Sequence, residues 1–129
     1  MHNITGQTHK LAHVLSTQAV AITDATPRWS GGGANYSAGE TSGGNVPVGG
    51  NTLASPTVTG TATVLIDFAD VTINQNGSNP TAVRRSVAYN DSDTSKRAWG
   101  FVDWGANQDL SAGNNTIDTT NGFFDLVGN

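Results

Sequence analysis

The chain contains no cysteine, so a disulfide framework, a thiolate zinc site and a cysteine nucleophile are all excluded. Charge is scarce as well: charged side chains make up 12% of the 129 residues, about half the usual share. A freely diffusing protein normally carries more charge, because charge keeps molecules dispersed. The shortage suits a chain that lives packed among other chains. Positive charge is scarcest, and the net charge is −4 with a pI of about 5.0. Nucleic acid, which demands a basic surface, is thereby excluded as a partner. Lys10, Arg28, Arg84, Arg85, Lys96 and Arg97 are scattered apart from two short pairs. No apolar run approaches the length of a membrane span. The opening MHNITGQTHKLAHVL lacks the charged start and apolar run of a secretion signal. No membrane role is expected.

What is present is glycine, at 16 residues, with abundant Asn, Thr and Ser; apolar residues reach only 36%. A chain of this size supports one core and one domain. Its many glycines make ordering costly in backbone entropy. We therefore expect a thin core, long surface loops and stability borrowed from neighbouring subunits.

Three zones are visible. Residues 1–27 are mildly apolar and are read as an N-terminal arm or edge segment. In them Leu11–Leu15 fits a helical turn or a strand, and Ala19–Ile22 a strand ended by Asp24 and Pro27. Residues 28–60 form a Gly/Ser/Asn-rich loop or arm without periodicity. It embeds Trp29 and Tyr36, and Val46 and Val48 mark a short edge strand. Residues 61–129 read as the body. Ala62, Val64, Ile66 and Phe68 alternate with polar neighbours, and Val71 and Ile73 continue the pattern. After the turn at 74–80, Val83, Arg85, Val87 and Tyr89 share one face. After the turn at 90–95, Trp99 and Phe101 lie opposite Trp104. Thr116–Asp118 and Phe123–Val127 supply the last strands. Strands at this spacing, with no amphipathic helix, predict an all-β fold: a single antiparallel β-sandwich, Ig-like or jelly-roll, with a long Gly-rich arm.

From residue 43 onward the order of motifs resembles a family of small phage virion proteins. The matching stretches are GGNVPVGGNTLASPTVTG (43–60), FADVTI (68–73), VAYND (87–91), TSKRAWGFVDWG (94–105) and GNNTIDTTNGFFDLV (113–127). Arg84 and Arg85, in a strand usually more apolar, and Trp104 after the aspartate depart from the pattern. The resemblance implies a virion component made in the host cytoplasm. The expected partners are the major capsid protein or other virion proteins, with self-association inside the particle. Head decoration or cement is the expected role; tail or neck protein and a carbohydrate-binding module are the alternatives. The family supplies no catalytic residue.

The residues themselves offer little chemistry. Glu40 is the only glutamate and sits in the Gly-rich zone. Asp67 and Asp70 flank Phe68, where aspartates commonly serve turns. Asn90, Asp91 and Asp93 offer oxygen to a calcium ion, but the glycine and distal glutamate of a helix-loop-helix site are missing. His9 and His13 have zinc-like spacing without the HExxH glutamate. SGGG (30–33) is not followed by the Lys-Ser/Thr of a phosphate loop. We expect no enzyme, no cofactor and no metal. The candidate partner-contact residues are the aromatics Trp29, Tyr36, Trp99, Phe101 and Trp104.

Overall fold

The structure is a computed structural model that describes residues 3–21, 23–32, 34–62, 64–119 and 125–128. In chain order its elements are β1 (His9–Val14), β2 (Pro27–Arg28), β3 (Ala34–Asn35), a 3-10 turn (Tyr36–Gly39), β4 (Asn51–Leu53), β5 (Thr57–Thr59), β6 (Leu65–Asp67), β7 (Val71–Ile73), β8 (Val83–Asn90), β9 (Ala98–Gln108), β10 (Asn115–Asp118) and β11 (Asp125–Gly128). The fold is all-β. Four strands form an antiparallel sheet in the order β4-β1-β8-β9, and three form a second in the order β11-β10-β7. β5 and β6 make a separate antiparallel hairpin, while β2 and β3 pair in parallel, the one departure from the expected antiparallel scheme.

Within the first zone, residues 9–14 form neither an arm nor an edge. β1 is an interior strand, pairing with β4 through Leu11↔Asn51 and with β8 through Leu11↔Ala88. Every β1 residue except Lys10 is buried. Its odd positions place His9, Leu11 and His13 on one face, and Ala12 and Val14 fall on the other. A strand buried on both faces shows no clean alternation, which is why residues 9–14 did not announce themselves.

The second face of this sheet is covered by the Gly-rich zone, which packs on its own chain. Trp29 donates its backbone N–H to Lys96 O, Leu15 donates to Gly39 O and Thr41 to His13 O. The 3-10 turn is capped by Asn35, whose side chain accepts from the Ser37 N–H. At Gly50 the segment passes so close to β1 that a Cβ would lie 2.2 Å from Leu11 O, at a φ of +85°. Only glycine fits that approach.

Two apolar clusters result. The first joins Leu11, Leu53, Val83 and Ala88 of the four-stranded sheet to Val71, Ile73 and Ile117 of the other sheet, with Phe68 and Leu110. The second joins Ala12, Val14, Val87, Tyr89 and Ala98 to Trp29 and Tyr36. The expected strand over 61–68 is shorter: β6 holds only Leu65–Asp67, and Val64 is exposed.

Irregular pairing between β8 and β9 changes which residues share a face. Ala88 faces Gly100 but Tyr89 faces Ala98, so Trp99 is an extra residue. Such a bulge inverts the side-chain parity beyond it. Trp99 therefore packs with the first cluster and Phe101 with the second, not on a common face as the alternation predicts. A second shift between Val83 and Arg85 puts Val83 with Ala88 rather than with Val87 and Tyr89.

Candidate interaction surface

The five aromatics have different situations. Trp29 is only 4% exposed and stacks on Tyr89, with centroids 5.4 Å apart at 15°. It holds the Gly-rich segment on the sheet and is unavailable to a partner. Tyr36 is also buried, and its hydroxyl donates to Asp24 Oδ2 at 2.5 Å. Burial, reinforced by Asp24, pushes the Tyr36 pKa up to about 12. Trp99 stacks on Phe68 at 5.9 Å and donates from Nε1 to His9 Nδ1 at 3.0 Å. Trp104 donates from Nε1 to Ser86 Oγ at 3.0 Å. Trp99, Phe101 and Trp104 are all half-buried.

Three of the five meet at one place. A cleft of about 380 Å³ is lined by Val20, Pro27, Tyr36, Trp99, Gly100 and Phe101. It lies where β9 runs past the segment leading into β2. A second hollow of about 260 Å³ adjoins it, with Pro27 and Ala98 lining both. Arg28 and Arg97 are the only charged residues in that lining. Their backbones form an antiparallel bridge, so both side chains leave the same side. Asp93 pairs with Arg97, whereas Arg28 forms no ion pair among the described residues. Sequence reading missed the arginine pair, because residues 28 and 97 share no motif. The only hint was that each stands one or two places from a tryptophan.

The other candidates are engaged in the fold. His9 and His13 lie on β1, not on a helix, and both point into the first cluster's side of the sheet. Trp104 donates to Ser86 Oγ, and Ser86 lies 2.7 Å from His13 Nδ1. Among the described residues, His13 Nε2 and Asn51 Oδ1 are the buried side-chain polar atoms without a hydrogen bond, and they lie on paired strands. Burial holds the His13 pKa down to about 4, only partly offset by Asn51. Burial likewise lowers His9, against the backbone of Asn3.

The turn at 90–95 spends its carboxylates on cations. Asp91 takes Lys10 at 3.2 Å and Lys96 at 2.8 Å, and Asp93 takes Arg97. Burial raises the Asp91 carboxyl, but Lys96 and Lys10 outweigh it and hold the pKa below the usual range. Arg84 and Arg85 both reach Asp103 at 2.8 Å. Among the described residues, no three His, Asp or Glu gather as a metal site requires.

Besides Val48 (78%), the large apolar side chains left exposed among the described residues gather on one hairpin. The β5–β6 hairpin exposes Val58 (46%), Val64 (58%) and Leu65 (36%), and every residue of β5 is exposed. No charged residue occurs between Glu40 and Asp67. No family model, curated protein or solved structure matches the chain.

Proposed function

We propose that this chain is a structural component of a phage particle, a decoration or cement protein that docks on the lattice of the major capsid protein. The observation that carries the reading is the β5–β6 hairpin, which presents Val58, Val64 and Leu65 to solvent without a charge on either strand except Asp67. Natural proteins blunt exposed strands with lysines, prolines or bulges. An undefended hairpin fits a surface that is covered in the working state. Its base is anchored, since Ile66 packs against the first cluster. A two-stranded hairpin alone is marginal in water, and a partner sheet would complete it. Many copies, each making a weak contact, would hold a shell together by avidity. The two sheets sharing the first cluster support the sandwich layout expected from the strand spacing.

A sugar-binding role fits less well. Trp29 is buried under Tyr89, and the Tyr36 hydroxyl in the cleft is committed to Asp24. A sugar site needs free polar groups beside its aromatic platform.

Two measurements test the proposal. In purified particles of the phage that encodes the chain, its copy number should approach that of the major capsid protein; a handful of copies, or none, overturns the decoration role. Val58→Asp and Leu65→Asp should fold normally, since both sites are exposed, yet fail to bind particles that lack the protein. Undiminished binding by both variants would remove the hairpin from the interface.

A further inference from the structure

We propose that the cleft beside β9 and the adjoining arginine-lined hollow form one docking groove for an extended peptide segment of a protein partner. The segment places a bulky apolar side chain against Tyr36 and Phe101 and, two residues further, a carboxylate at Arg28 and Arg97. This rests on the adhesive reading above and gives the partner's chemistry.

Three observations converge. First, β9 is the outermost strand of its sheet, and the strand it meets on its outer side among the described residues is β2, through the bridge at Arg97. No other strand among the described residues pairs with the remaining outer edge, which suits peptide capture in which main-chain hydrogen bonds supply affinity and alternate side chains enter pockets. Second, the apolar cleft and the arginine hollow share Pro27 and Ala98 and so lie side by side. Residues i and i+2 of an extended strand point to the same side about 6.7 Å apart, which suits two adjacent pockets. Third, the hollow is lined by two arginines and no carboxylate; Arg97 pairs with Asp93 outside that lining, and Arg28 has no ion-pair partner among the described residues. An arginine beside an apolar cleft selects a carboxylate by charge-assisted hydrogen bonds.

Phe101 supplies a control on the apolar pocket. It lines the cleft and is half-buried, so Phe101→Ala removes the apolar wall that the peptide's side chain meets.

The probe is the peptide acetyl-Thr-Val-Thr-Leu-Thr-Glu-Thr-amide, titrated into the full chain and followed by tryptophan fluorescence. Saturable binding is expected, about tenfold weaker for Arg28→Gln and for the same peptide with glutamine in place of glutamate. Phe101→Ala should weaken it at least as much. Bound peptide should slow backbone hydrogen exchange within residues 99–103. The proposal is overturned by no saturable binding, by equal affinity in Arg28→Gln, by indifference to Phe101→Ala, or by hexanoate binding as tightly as the peptide. The isolated chain is the reagent, so peptide capture is scored independently of particle binding. A chain that captures the peptide but is absent from particles would lose the virion role and keep the groove.

Discussion

His13 is the residue whose chemistry depends most on its surroundings. It is wholly enclosed, and its imidazole is neutral because charging it would strand a cation among Leu11, Ser86 and the apolar core. Free imidazole titrates near 6.5, and this one near 4. Between those values the unfolded chain binds a proton that the folded chain refuses. Stability is therefore complete above pH 6.5 and declines on acidification towards pH 4, by roughly 3 kcal/mol over the window. His9, lowered in the same direction, adds to the slope. Two aspartates act elsewhere: Asp91, whose burial is outweighed by Lys96 and Lys10, and Asp103, held down first by the Gly105 N–H and then by Arg84 and Arg85, lie below their ordinary 3.8, so their contributions disappear only in stronger acid. Urea denaturation at pH 7.0, 5.5 and 4.5 checks the expectation. A midpoint that stays constant across that range would mean His13 is not enclosed as described.

At the scale of elements, the Gly-rich segment behaves as a cover. Gly50 is the position where it lies hardest against β1. Gly50→Ala combines a positive φ with a clash against Leu11 O and Ala12 Cα. Its cost should exceed about 1 kcal/mol, read as a lowered thermal midpoint; a midpoint equal to the parent's would place the segment away from β1. The same element shows where sequence reading succeeded and where it stopped. β8 and β9 were legible because Val87, Tyr89, Trp99 and Phe101 sit in alternating strands bounded by polar turns. Their faces were not, because alternation cannot reveal a bulge: the extra Trp99 sends Phe101 to the opposite side. β1 was ambiguous because both its faces are buried. The Gly-rich zone lacks periodicity because irregular backbone holds it in place, through Trp29 N to Lys96 O and Thr41 N to His13 O. In the cleft, Tyr36, Trp99 and Phe101 were named in advance as contact residues. Arg28 and Arg97 were not, since only the fold brings them together.

For the molecule as a whole, the central sheet is assembled from distant parts of the chain. β1 pairs His13 with Ser86 and Ala12 with Val87. The two sheets and the cover also meet through long-range contacts, which dominate the contact map. Such topologies fold slowly, since loop closure must precede the contacts that repay it. A detachable N-terminal arm could be removed without harm. An interior strand cannot, because its loss unpairs β4 and β8 and uncovers both clusters. Removing residues 1–14 should therefore give a chain without cooperative thermal unfolding. A truncated form that melts cooperatively at the parent temperature would mean β1 is dispensable.

The stretch from Thr41 to Ile66 is electrically silent, and the hairpin with its exposed valines lies within it. Table salt at moderate strength has no ion pairs to weaken there, since screening acts only on charge. Sulfate and phosphate, which are excluded from apolar surface, would tighten any union made through it. On the two docking proposals, a contact at the hairpin would tighten in sulfate, whereas one at the arginine hollow would weaken as salt screens its charge.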